Sequence, residues 1–244
     1  MPTSQLAYGF WSIVLGVMVI GSLSAGSTVQ AQAPEWSKGL IWYQIFPERF
    51  RNGDPTNDPN KERARGPEGW QIHDWGSDWY ARTDWEQQAT DRFYDIVRER
   101  RYGGDLQGVI DKLDYLSDIG VGGIYFNPVF DAQSMHKYDA TYYHHIDRNF
   151  GPNPEADQKI FVQEDPSDPS TWQWSHADSL FLTLIKEAHK RDIKVIIEKN
   201  FSFVFGKRNL KETQNSKKLI NFQSLEIMRE RLLNINHLWV LHTF

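Results

Sequence analysis

The sequence predicts an α/β fold in which parallel strands alternate with helices. Three observations predict it. Short apolar runs recur, each stopped by Pro or by a polar loop. Stretches of helical period lie between them. The helices lead into the next strand through short turns, whereas the strands lead into long loops. Ile41 to Phe46 is the first apolar run and stops at Pro47, so a buried strand is expected there. A long loop, rich in Asn, Asp, Gly, Pro and Trp, runs from Glu48 to about Arg92, and Phe93 to Arg100 reads as a short helix. Asp105 to Ser117 places Leu106, Val109, Ile110, Leu113 and Leu116 at helical spacing, with Gly120 as the stop. Val121 to Phe126 is the second strand, ended by Asn127-Pro128. Ser175 and Asp178 form a capping pattern for a helix whose apolar face is Phe181, Leu184, Ile185 and Ala188. Ile193 to Ile197 is the third strand. Neither G-x-G-x-x-G nor G-x-x-x-x-G-K-[ST] follows any strand, which turns the choice from a doubly wound sheet to a (β/α)8, or TIM, barrel. Only its first three strand–helix units are expected, with the pattern breaking off before a fourth strand.

Composition bounds the function. The chain has 244 residues, 40% apolar and 24% charged, which excludes a disordered tail and a polytopic membrane protein. It has no cysteine, so a disulfide framework, a Cys-ligated zinc and an iron–sulfur centre are excluded. A net charge of −5 argues against a nucleic-acid partner.

No side-chain charge precedes Glu35, and Phe10 to Leu23 is almost wholly apolar. This run is short for a stable membrane span. With the small-x-small pattern at Ala31-Gln32-Ala33 it reads as an export signal over 1–33, although the leading segment lacks Lys and Arg. Residues 34–206 hold the strand–helix pattern. Residues 207–244 form a basic tail with seven Lys or Arg against three Glu, where Leu225, Met228 and Leu232 line one face of a short helix.

Two loops carry chemistry. Asn52, Asp54, Asn57 and Asp58 offer four short oxygen-bearing side chains, and the carbonyl of Gly103 with the carboxylate of Asp105 would bring six oxygens to a hard cation. The same pattern also suits a run of Asx-turns in solvent. In the second loop Tyr138 offers a face for a sugar ring, with His136 and Asp139 beside it. A loop tyrosine equally packs without a ligand.

Trp42 to Phe50, the Asn52–Asp58 loop, Tyr102 to Gly108, Leu116 to Phe130 and His136-Lys137-Tyr138-Asp139 together resemble the α-amylase family of glycoside hydrolases, most closely its neopullulanase and cyclomaltodextrinase branch. The resemblance covers about residues 38 to 198. It implies a (β/α)8 barrel that cleaves or transfers α-1,4-glucans with retention, and a partner that is an α-glucan or maltooligosaccharide. It implies that Asn52, Asp54, Asn57, Asp58, Gly103 and Asp105 hold structural Ca²⁺, and that Tyr138 stacks on the glucose beside the scissile bond with His136 in the same motif. Glu198 stands where the family has an aspartate that organises the catalytic centre. The family motif there is Asp-x-x-x-Asn-His, and Glu198, Ser202 and Phe203 depart from all three marked positions.

A retaining glycosidase needs a nucleophile and an acid/base carboxyl about 5–5.5 Å apart. In this family they follow the fourth and fifth strands. Glu212, Glu226 and Glu230 lie in basic segments with no expected strand before them, so no catalytic residue is assigned. Three readings result: an exported α-glucan hydrolase, a non-catalytic glycan- and calcium-binding remnant, and a truncated product without activity. A three-stranded sheet with two open edges is expected to be marginal, aggregation-prone or completed by a second chain.

Overall fold

The computed structural model describes residues 33–76, 78–166, 168–200 and 238–243. The chain divides into two units, Met1–Lys38 and Gly39–Phe244. In the first, Glu35–Ser37 form a 3-10 turn. The signal expected over residues 1–33, apart from Ala33, and the tail helix at Leu225–Leu232 lie outside the described residues, as do Ser202 and Phe203.

In the second unit, β1 (Ile41–Ile45) and β2 (Val121–Phe126) pair in parallel, with Ile45 beside Phe126. Strands β3 (Phe130–Asp131) and β4 (Tyr142–Ile146) make a small antiparallel sheet. Strand β5 (Lys194–Asn200) pairs in parallel with β2, Ile197 lying beside Phe126. Strand β6 (Leu238–Thr243) then pairs in parallel with β5, from Val195 beside Leu238 to Asn200 beside Thr243. The main sheet has the order β1-β2-β5-β6. This corrects the expectation that the strand pattern breaks off before a fourth strand. Leu238-Trp239-Val240-Leu241 is a β-favouring run, and it satisfies the main-chain groups that β5 would otherwise leave open.

The helices differ from expectation in instructive ways. The expected helix over Asp105–Ser117 is two helices, α3 (Leu106–Ile110) and α4 (Leu113–Asp118). Lys112 N–H reaches back to Val109 O rather than to Gly108 O, so the helix tightens for one turn before resuming. The apolar face survives the break, because Leu106, Val109, Leu113 and Leu116 are all fully buried. Two helices had not been expected, α1 (Asp84–Ala89) and α5 (Pro154–Phe161), whereas the α2 segment (Phe93–Ile96) had. Helix α6 (His176–His189) begins at the expected cap, Ser175 Oγ accepting from Asp178 N–H at 3.0 Å.

The core gathers Ile45, Ile124, Phe126, Val195 and Ile197 of the sheet against the apolar faces of α3, α4 and α6. Strand β1 is less buried than its composition predicts. Ile45 is enclosed, but Ile41 is 58% exposed, because among the described residues β1 has a partner strand on one side only. No helix among the described residues is long and apolar enough to cross a membrane.

Candidate functional site

The C-terminal ends of β1, β2 and β5 lie level, and they deliver three polar side chains to one face. Gln44 Nε2 donates to Asn127 Oδ1 at 2.9 Å, and Asn127 Nδ2 donates to Tyr138 Oη at 3.3 Å. Tyr138 Oη in turn donates to Glu198 Oε2 at 3.2 Å. The ladder therefore reaches from the first strand to the third strand of the sheet through the loop tyrosine. Burial and the nearby Glu198 carboxylate push the Tyr125 hydroxyl up to about 12. Burial first, then Glu198, also raise Tyr138. Both phenols thus stay protonated and act as donors.

The turn that carries Tyr138 is held from beneath. Lys137 takes the left-handed backbone conformation, φ 60°, and its ammonium is fully buried 2.7 Å from Asp147 Oδ2 and 3.0 Å from Ala132 O. Such a φ is uncommon for a side chain of this size, and the ion pair below holds it. The kink turns the flanking His136 and Tyr138 outward with their rings 5.7 Å apart. His136 is exposed, and its Nδ1 is engaged by Tyr138 N–H and Ser134 Oγ, both at 3.1 Å. Asp139 accepts from Ser134 Oγ and pairs with Arg65.

The residues of the oxygen-rich loop lie close together. Asp105 N-caps α3 through Gly108 N–H, and its carboxylate also accepts from Asp54 N–H at 2.8 Å and Asn57 Nδ2 at 3.2 Å. Asn52 Nδ2 donates to Asp58 Oδ1 at 2.7 Å. Gly103 packs so closely on this pair that a Cβ there would fall 2.3 Å from Asp58 Oδ1. All six expected residues therefore meet. The solvated-turn alternative holds in part, since Asp54 Oδ1 makes an Asx-turn with Thr56 N–H at 3.0 Å. It fails for Asn57 and Asp105, which are buried. The amide oxygens of Asn52 and Asn57 are buried without a hydrogen bond. Burial, then the nearby Asp105 and Asp54 carboxylates, raise Asp58 against the Asn52 amide, whereas burial alone raises Asp105 against several N–H donors. Among the described residues, Asp54, Asp58 and Asp105 do not bring three carboxylate oxygens within 4.8 Å of one another.

Several functional neighbours were not expected from the sequence. In the sequence Gln44 and Tyr125 lie inside apolar strand runs and Asn127 closes one, with no local pattern that marks a site. Glu212, Glu226 and Glu230 lie outside the described residues.

Comparison with known proteins identifies the fold's lineage. The Alpha amylase, catalytic domain family matches residues 44–163. Intracellular maltogenic amylase of Bacillus subtilis (strain 168) is 35% identical over 173 residues, 71% of this chain and 21% of that protein. Maltogenic alpha-amylase of Bacillus acidopullulyticus is 45% identical over 120 residues, 49% of this chain and 16% of that protein. Neopullulanase 2 of Thermoactinomyces vulgaris is 38% identical over 169 residues, 69% of this chain and 20% of that protein. The chain thus spans about a fifth of the length of these curated relatives. Over residues 44–163, therefore, the chain belongs to the α-amylase catalytic-domain family.

Proposed function

We propose that this chain is the α-glucan-binding N-terminal part of an amylase-type (β/α)8 barrel. The observation that carries the reading is the ladder Gln44–Asn127–Tyr138–Glu198 across three adjacent strand ends, on the face where barrel enzymes place their sites. Tyr138 supplies the ring that stacks on a glucose unit, and its hydroxyl fixes the ring's tilt through Glu198. His136 has Nδ1 occupied and meets the sugar through Nε2. The 244 residues by themselves do not hydrolyse glucan. Among the described residues the hydrogen-bonding neighbours of Glu198 are tyrosine hydroxyls, whereas retention needs two opposed carboxyls.

Calcium belongs to the same reading. The unsatisfied amide oxygens of Asn52 and Asn57, beside three aspartates and the Gly103 main chain, are the hard oxygen donors that Ca²⁺ prefers. Bound there, the ion would neutralise the crowded carboxylates and tie the loop after β1 to the start of α3. The apolar run at 10–23 supports export of the chain.

Calorimetry with a maltooligosaccharide in the presence of Ca²⁺ tests the binding reading. Tyr138→Phe should bind within a few-fold of wild type, and Tyr138→Ala should lose at least about tenfold, 1.4 kcal/mol. A flat titration for the wild-type chain refutes glycan binding. Release of reducing sugar by the purified chain would refute the claim that it lacks hydrolysis.

A further inference from the structure

Away from the strand ends, β4 presents two adjacent histidines. Successive strand residues normally point to opposite faces. Here both rings converge on one carboxylate oxygen. His144 Nε2 lies 3.1 Å and His145 Nε2 2.7 Å from Glu164 Oε2. One ligand atom from each of the three residues falls within 4.8 Å of the others.

We propose that His144, His145 and Glu164 form a site for a divalent transition-metal ion of the zinc type, separate from the oxygen-rich loop. Two imidazole nitrogens and one carboxylate suit zinc and its neighbours, and disfavour Ca²⁺ and Mg²⁺, which take oxygen shells. The ligands are also built in from behind. Asp178 Oδ2 lies 2.8 Å from His145 Nδ1, so His145 presents Nε2 to the ion in the carboxylate–histidine–metal arrangement. Asp178 is itself fixed by Ile146 N–H at 2.8 Å and Ser175 N–H at 3.1 Å. Glu164 Oε1 is held by Gln173 N–H, leaving Oε2 for the ion. His144 stacks on Trp172 with ring centroids 4.2 Å apart, and His145 stacks on Phe161 at 4.3 Å. Each ring thus has its plane set by an aromatic neighbour. Three protein ligands leave a fourth position for water. An ion here would join β4, the end of α5 with its following loop, and the start of α6.

The alternative is a metal-free cluster in which a protonated His145 bridges Asp178 and Glu164. Cobalt distinguishes the two. The untagged full chain is stripped with chelator, supplied with excess Ca²⁺ to satisfy the oxygen-rich loop, and titrated with Co²⁺. The expected result is visible d–d absorption that saturates at one equivalent and is displaced by one equivalent of Zn²⁺. His144→Gln and Glu164→Gln should each weaken it at least tenfold. If Glu164→Gln does not fold, His144→Gln decides, since His144 is the most exposed of the three side chains. X-ray absorption of the zinc-loaded chain should show two imidazoles. Absence of d–d absorption at excess Co²⁺, or absorption that His144→Gln leaves unchanged, would overturn the proposal.

Discussion

Gly103 shows how a single missing side chain shapes a site. Its φ of +67° lies in the left-handed region, and its Cα faces the Asn52–Asp58 pair with no room for a methyl group. Gly103→Ala must therefore strain the backbone and displace Asp58 together. We expect it to cost at least about 1 kcal/mol in urea unfolding and to weaken Ca²⁺ binding at least tenfold by calorimetry. At this scale much of the candidate site was legible. Asn52, Asp54, Asn57, Asp58 and Asp105 stood out as a cluster of short oxygen-bearing residues, but their spacing suited solvated Asx-turns as well, and family likeness alone pointed to Ca²⁺. Tyr138 and His136 were legible through family likeness rather than spacing. The partners of Glu198 were not, because strand register sets Tyr125 near it and the loop between β3 and β4 brings Tyr138 to it, which no local pattern encodes. The same holds for His144 and Glu164, twenty residues apart and joined by the return of the chain after α5.

Helix α1 carries its argument at the level of an element. It has only six residues, too few to persist on propensity, and it is held by one buried pair. Arg100 forks onto Glu86 with both side chains fully buried, and its remaining donors reach Trp79 O at 2.8 Å and Ala81 O at 2.7 Å. Burial pushes Glu86 up, but the Arg100 guanidinium and Thr83 N–H outweigh it and hold the carboxyl below its ordinary value of 4.5. A carboxyl depressed in the fold contributes stability that is present above 4.5 and is lost as pH falls through the lower folded value. Glu86→Gln leaves Arg100 buried without its counter-charge. It should cost about 3–5 kcal/mol at neutral pH, and the difference from wild type should shrink as urea unfolding is repeated at progressively lower pH. The signal for this helix was present as Thr83-x-x-Glu86, with Glu86 Oε2 accepting from Thr83 N–H at 2.9 Å. It was hidden inside a segment whose Gly, Pro and Asn content reads as loop. Strands β2 and β5 were legible because they are buried on both faces and read as continuous apolar runs. Strand β6 was not, since the charged residues before it carry no period that points to a sheet.

The arrangement of the whole sheet sets its weakness. Ile41 lies exposed on β1, whose outer edge has no partner strand among the described residues and is a template for another strand. Sedimentation should show concentration-dependent association of the wild-type chain, and Ile41→Lys should reduce it without changing the far-ultraviolet circular dichroism. A monodisperse wild-type monomer at high concentration would contradict this. The other large feature is the excursion between β1 and α3. Its two ends are stitched together, Gly104 N–H to Glu48 O at 3.0 Å and Asp105 N–H to Arg51 O at 3.1 Å. A segment that leaves and returns through the same doorway transmits little of its own length to the rest of the sheet. Doubling such a loop adds only about 0.6 kcal/mol of closure entropy. The excursion is thus free to grow, shrink or change its contents over generations while the strand ends keep their places, and new recognition surfaces can be tried there without rebuilding the parallel sheet.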